Sequence, residues 1–272
     1  MPAIALQSGI IYGPVRSRRL GWSLGLNISP TTYKLCSFNC VYCQYGWTKV
    51  WTMDASTQLG DLPTPEEFEQ ALLEALRKNR DHEINNITFS GNGEPTLHPQ
   101  FEELVSIARR LKERYLPSAG LGVLSNSSTV SLERVRRALG KLDFKIMKLD
   151  AGDPETFAKI NRACPGVDYQ IVIKGLKSLA GVTLQTMFID GSPSNSGERE
   201  VLKWQERVGE IKPIKAQIYS LHRPSAASSL REVPAERLEE IAARTEAITG
   251  IRVEAIVAPA PYHRKINQPY DR

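Results

Sequence analysis

Cys36-Ser37-Phe38-Asn39-Cys40-Val41-Tyr42-Cys43 holds three of the four cysteines of the chain, in the spacing C-x3-C-x2-C. A structural zinc site normally closes with four protein ligands, so three thiolates fall one short. Soft sulfur ligands also suit an iron–sulfur cluster. A four-iron cubane normally takes four cysteines, and three would leave one iron open to a small molecule. An open iron is a place for chemistry, which makes the stretch a candidate catalytic centre. Two plainer readings stand beside it: a zinc knuckle with a distant fourth ligand, and three unrelated core cysteines.

The rest of the composition is that of an ordinary soluble globular protein. Of 272 residues, 41% are hydrophobic and 24% charged, enough for one large domain or two small ones. No apolar run approaches the length of a membrane span, and the N-terminus shows no charged-then-apolar leader. The expected location is cytoplasmic, with no membrane partner. Three clustered cysteines do not make a disulfide framework.

The net charge of +5 is unevenly placed. Residues 1–50 contain Arg16, Arg18, Arg19, Lys34 and Lys49 and no acidic residue; the remainder carries 30 basic and 30 acidic side chains. The excess therefore sits beside the cysteine triplet. Either it compensates an anionic cluster, or it forms a basic surface for a phosphate-bearing substrate such as RNA.

Outward from the triplet, short apolar runs alternate with helical patterns. Strands are expected over 24–28, 86–90, 122–124, 144–149, 182–189, 216–221 and 252–257. Helices are expected over 65–78, 101–111, 131–139, 154–161, 169–179, 198–208 and 235–248, with Thr64 and Ser131 as caps. Such alternation implies a parallel sheet with helices outside. A complete eight-fold barrel usually takes about 250 residues, so six strands and a last one suit a partial barrel better. The expectation is a single α/β domain: an N-terminal extension over 1–23, a barrel core over 24–257 and a tail over 258–272. In parallel α/β folds the working residues lie at the C-terminal ends of the strands. Polar and glycine-rich residues fall there repeatedly.

The triplet, with Tyr42 before its last cysteine, resembles the cluster motif of the radical S-adenosylmethionine (radical SAM) superfamily. Ser90-Gly91-Asn92-Gly93-Glu94-Pro95-Thr96, about 50 residues on at a strand end, resembles the second motif of that family. The resemblance implies a partial (β/α)6 TIM-like barrel and a [4Fe–4S] cluster on Cys36, Cys40 and Cys43. It implies SAM chelated at the open iron and cleaved by one electron to methionine and a 5′-deoxyadenosyl radical that abstracts a hydrogen atom. An electron donor such as flavodoxin or ferredoxin is implied as a partner. Gly93 and Glu94 match the pair that holds the methionyl amine. A non-catalytic iron–sulfur or zinc protein is the alternative.

Further candidates lie at the later strand ends. Ser125 and Asn126 stand where the family often has Thr-Asn-Gly, here with Ser127 for the glycine; Asn126 is either a SAM contact or a turn former. Lys148 and Asp150 share one face of their strand; related enzymes use such residues on the SAM carboxylate and ribose, and a salt bridge at the barrel mouth is the other reading. Gln185 is a core hydrogen-bonder or a substrate contact. His222 falls where several family members approach adenine; the plainer reading is a structural hydrogen bond. Phe38, Tyr42, Tyr45, Trp47 and Trp51 crowd the triplet and are expected to shield it.

The segment Gly13–Gly25, together with Val41, Gln44, Gly46 and Arg223-Pro224, resembles the subgroup related to the enzymes of wybutosine synthesis in tRNA. The archaeal members carry a second N-terminal cysteine set. The only other cysteine here is Cys164, expected to be a buried thiol, so the tRNA substrate does not transfer with the resemblance. The substrate is expected to be a tRNA or other nucleic acid, or a small metabolite or peptide.

Overall fold

A computed structural model describes residues 4–17, 19–80 and 82–257. Arg18 and the expected tail 258–272 lie outside the described residues. Eight strands form one sheet in sequence order: β1 (Ile11–Ser17), β2 (Gly21–Leu26), β3 (Asn86–Phe89), β4 (Gly120–Ser125), β5 (Phe144–Lys148), β6 (Val182–Met187), β7 (Lys215–Tyr219) and β8 (Val253–Ile256). β1 pairs antiparallel with β2, and every later pairing is parallel. β1 and β8 are the two ends of the ladder, so the sheet does not close on itself.

The helices α1 (Pro65–Lys78), α2 (Phe101–Tyr115), α3 (Glu133–Gly140), α4 (Pro154–Ile160), α5 (Tyr169–Lys177), α6 (Glu198–Ile211) and α7 (Ala235–Thr249) connect the strands. α1 starts where its sequence says. The Thr64 hydroxyl accepts from the Glu67 N–H, the Glu67 carboxylate accepts from the Thr64 N–H, and Pro65 fills the first position. Its Phe68, Leu72 and Leu76 are fully buried, each contributing about 1.5–3 kcal/mol by leaving water. The expected Ser131 cap is not found. α3 begins at Glu133 after Leu132, without a side-chain cap. The preceding residues instead form a turn, with Leu132 N–H donating to Thr129 O.

Alternation along each strand separates two faces. Leu24, Leu26, Ile87, Phe89, Leu121, Val123, Leu184 and Ile218 are buried in the apolar core. Trp204 of α6 joins that core, its indole N–H donating to Leu149 O and Thr186 Oγ1. Alternate positions carry polar side chains that bond one another. Ser23 pairs with Thr88 at 3.0 Å, and Gln217 donates to Glu254 at 3.2 Å. Gln185 donates to Gln217 at 3.5 Å and accepts from the Tyr219 hydroxyl at 3.3 Å. Gln185 is thus a buried hydrogen-bonder in this network.

No strand is expected over residues 11–17, yet Ile11–Ser17 is an integral edge strand. Glycine and proline mask its pattern, and the ladder is irregular between Tyr12 and Val15, around that glycine–proline pair. A hairpin partner supplies the hydrogen bonds that propensity does not foresee.

Candidate active site

The cysteine loop leaves the C-terminal end of β2 and is bound to three neighbours through its backbone. Leu35–Cys36 pairs parallel with Val50–Trp51 inside the loop. Asn39 N–H and Val41 N–H donate to Asn161 O and Ile160 O at the end of α4, both at 3.0 Å. Leu35 N–H donates to Asn92 O at 3.2 Å and Leu35 O accepts from Glu94 N–H at 3.1 Å, joining the loop to the end of β3. That junction requires a glycine: a Cβ on Gly93 would fall 1.7 Å from Leu35 O.

Asn92, between the two glycines, is fully buried and ties three segments together. It receives the Gln7 N–H at 2.7 Å and donates to Gln7 O and Pro30 O at 2.8 and 2.9 Å. The chain near the N-terminus is thereby strapped across the site, with Ile4 N–H donating to Gln44 O. Nothing in the spacing of Asn92 marks this role; its place inside a glycine pair is the one available signal.

Glu94 is 2% exposed. Its carboxylate accepts from Asn126 N–H at 2.6 Å and from Thr96 N–H and Oγ1 at 3.1 and 2.6 Å. Burial raises its pKa despite these bonds and one from Ser125. Asn126 in turn donates to Ser37 Oγ at 2.9 Å and to Cys36 Sγ at 3.5 Å. Gly93, Glu94, Ser125 and Asn126 therefore meet beside Cys36. Ser125 Oγ accepts the Ser127 N–H. Ser127 has a left-handed φ of 73° where the resemblance expects glycine.

Asp150 organises the opposite side. Its carboxylate is buried and accepts from the Tyr42 hydroxyl, Asn161 Nδ2 at 2.7 Å, Met187 N–H at 2.9 Å and Lys148 Nζ at 2.9 Å. The Lys148 ammonium also donates to the Tyr219 hydroxyl at 3.2 Å and stands over the rings of Tyr42 and Tyr219. Burial works to lower the Lys148 pKa, but Asp150 and Tyr219 hold it above the ordinary lysine value. Asn161 escapes sequence reasoning because it follows α4 and not a strand. It reaches both Asp150 and Cys40 Sγ, the latter at 3.5 Å. His222 Nδ1 is paired with Glu232 at 3.2 Å.

Cys36 is buried, while Cys40 and Cys43 are partly exposed. Burial pushes Cys36 up to about 12 and Cys40 up to about 11, against the opposing pull of Lys34. Ligation to a metal must displace those protons. Lys34 is 5% exposed. Burial lowers its pKa, while Cys43, Cys36 and Cys40 raise it further, so the net direction is upward. Its position, two residues before the triplet, looked like bulk positive charge in the sequence.

Two other basic side chains of this region are turned onto rings: Arg19 over Tyr219 and Lys49 over Tyr33. Phe38 and Tyr42 pack inward against Phe157 and Asp150. Trp47 and Trp51 are each 44% exposed and so shield only in part. Cys164 is buried and its backbone N–H donates to Ser37 O, as expected of a structural thiol.

The three cysteine sulfurs of one loop are a donor set that fits an iron–sulfur cluster, in which each thiolate binds a different iron.

The sequence profile of the radical SAM superfamily matches residues 31–204, from the start of the cysteine loop into α6. The chain belongs to the radical SAM superfamily of enzymes. It is 30% identical over 220 residues to the UPF0026 protein slr1464 of Synechocystis, covering 79% of this chain and 76% of that one. A Brachyspira hyodysenteriae protein named GTPase Obg is 28% identical over 252 residues, 92% of this chain. The chain spans only 35% of that relative. Among solved structures, TYW1 with a lysine–pyruvate adduct bound superposes with a TM-score of 0.58 over 83% of this chain and 73% of that one, at 17% identity. At that identity the likeness is one of fold. No helix among the described residues is long and apolar enough to cross a membrane.

Proposed function

We propose that the chain binds a [4Fe–4S] cluster through Cys36, Cys40 and Cys43, binds SAM beside it, and abstracts a hydrogen atom from a substrate. The observation that supports this most is the junction of the cysteine loop with the Gly93–Glu94 turn and Asn126, three separate segments meeting at Cys36. When bound, the cluster supplies the single electron that cleaves SAM. The chain's own residues have three tasks. Cys36, Cys40 and Cys43 give up their protons and hold the irons. Gly93 leaves room for the loop backbone, and Glu94 with Asn126 fixes the turn that receives the methionyl amine. Asp150 orients Tyr42, Asn161 and Lys148, and through them the floor on which SAM lies.

The substrate we infer is a small molecule or peptide rather than RNA. Lys34 is buried beside thiols, and Arg19 and the exposed Lys49 stand over the rings of Tyr219 and Tyr33, so part of the basic charge in the first fifty residues is spent inside the protein. The tRNA reading keeps the subgroup resemblance as its support. Salt-dependent binding of tRNA to the purified protein would overturn the choice of a small substrate.

The catalytic reading is tested by anaerobic reconstitution with iron and sulfide, followed by dithionite and SAM. Formation of 5′-deoxyadenosine is expected. Iron-loaded protein that never forms it, with candidate substrates present, refutes the reading. Stoichiometric zinc without iron after anaerobic purification would favour the non-catalytic alternative.

A further inference from the structure

Two of the three cysteine sulfurs, those of Cys36 and Cys40, each have an asparagine side chain as hydrogen-bond donor, from two separate parts of the fold, and Cys36 also takes the Phe38 N–H at 3.4 Å. Asn126, after β4, points Nδ2 at Cys36 Sγ, and Asn161, after α4, points Nδ2 at Cys40 Sγ, both at 3.5 Å. Lys34, before the triplet, is a buried cation whose charge acts on the cysteine sulfurs, and its ammonium donates to Gly46 O at 3.1 Å.

The orientation of each amide is dictated by its other contacts. Asn126 Oδ1 accepts the Ser128 N–H at 2.9 Å, so turning the amide over would set NH2 against a backbone N–H. Asn161 Nδ2 also donates to Asp150 Oδ2 at 2.7 Å, and turning it over would set its oxygen against a carboxylate. Keeping this orientation leaves Asn161 Oδ1 buried without a hydrogen-bond partner, in a side chain only 1% exposed. The fold tolerates an unmade acceptor in order to aim N–H groups at a carboxylate and a sulfur. A sulfur bound to iron accepts hydrogen bonds and has no proton to donate. Both amides can therefore keep these bonds when the cysteines are ligated.

We propose that Asn126 and Asn161 are positioning residues that raise the reduction potential of the cluster by donating N–H···S bonds to Cys36 and Cys40. Lys34 acts in the same direction on Cys43. Reduction adds one electron, supplied by an external one-electron donor, and so adds one negative charge to the cluster and its thiolates. Donors aimed at the sulfurs stabilise the more negative state more strongly. The inference rests on the cluster assignment made above.

The test is a redox titration with dithionite, followed by electron paramagnetic resonance, on reconstituted wild type, Asn126→Leu, Asn161→Leu and Lys34→Met. Leucine approximates the shape of asparagine without its donor. Each leucine variant should disfavour reduction about tenfold, a midpoint lower by about 59 mV for one electron. Asn161→Gln, which keeps an amide donor, should recover part of the shift. Midpoints equal to wild type in all three variants overturn the inference alone. Reduced cluster content with an unshifted midpoint in the clusters that remain marks a merely structural role and also overturns it. Should Asn161→Leu take up no cluster, Asn161→Ser, too short to reach the sulfur, is titrated in its place under the same criteria. A wild-type protein that assembles no cluster overturns the cluster assignment, and the inference with it.

Discussion

Replacing Asp150 by asparagine removes one charge and sets the consequences of that loss against the whole site. The carboxylate has four donors: the Tyr42 hydroxyl and Asn161 Nδ2 on one oxygen, Met187 N–H and Lys148 Nζ on the other. An amide presents one oxygen and one NH2. Whichever way it turns, two donors face an NH2 group, which costs about 1–3 kcal/mol. Lys148, with 15% of its side chain exposed, loses its counter-charge; breaking a buried ion pair from one side costs about 3–5 kcal/mol. The sum, about 4–8 kcal/mol, is comparable with the whole stability of a typical domain, about 5–15 kcal/mol. Urea denaturation of the metal-free protein, followed by circular dichroism, measures it. The double variant Lys148→Met/Asp150→Asn leaves no buried orphan charge. It should be less destabilised than the two single losses added together, with a coupling of about 1–3 kcal/mol. A single-variant loss under about 1 kcal/mol, or strict additivity in the double variant, would refute the description of Asp150 as the hub of the site.

Three further outcomes are expected. Gly93→Ala should destabilise by about 3–5 kcal/mol, from two backbone hydrogen bonds at about 1 kcal/mol each plus overpacking against Leu35 O; an unchanged denaturation midpoint would contradict the close approach. Burial lowers His98 to about 4 from its ordinary 6.5, with Gln100 N–H donating to Nδ1 and Nε2 bonding Pro63 O. The folded state therefore binds fewer protons than the unfolded state between these values. Stability should be full above pH 6.5 and fall by about 3 kcal/mol as the pH drops to 4, and the difference between wild type and His98→Gln across that range isolates the contribution. Alanine at any one of Cys36, Cys40 and Cys43 should remove most of the iron retained after reconstitution and abolish 5′-deoxyadenosine formation; full iron content in any single variant would exclude that cysteine as a ligand.

Much of the fold was legible because it rests on local, repeating signals. The seven parallel strands announce themselves as apolar runs, and α1 carries its own start signal in Thr64, Pro65 and Glu67. Ile11–Ser17 did not, because an edge strand interrupted by Gly13-Pro14 depends on its partner for order. Ser131 misled for a related reason: a hydroxyl before a helical pattern is a cap only if the chain enters the helix there, and the turn ending at Leu132 delays that entry by two residues.

The cysteine spacing, the glycine pair at 91 and 93 and the strand-helix rhythm are properties of the chain as written, and they alone determine the class of chemistry and the kind of barrel. Folding decides which side chains serve whom. Asn92, Asn161 and Lys34 look like ordinary polar residues in the sequence, yet they strap the N-terminal segment, reach Cys40 and place a buried cation beside the cysteines. Asp150, one half of a strand-end pair in the sequence, becomes the shared acceptor for a tyrosine of the cysteine loop, an asparagine after α4 and a lysine on its own strand. These roles depend on distances between residues up to a hundred or more positions apart. Burial then makes each such bond matter, because a donor removed from water must find its acceptor within the protein.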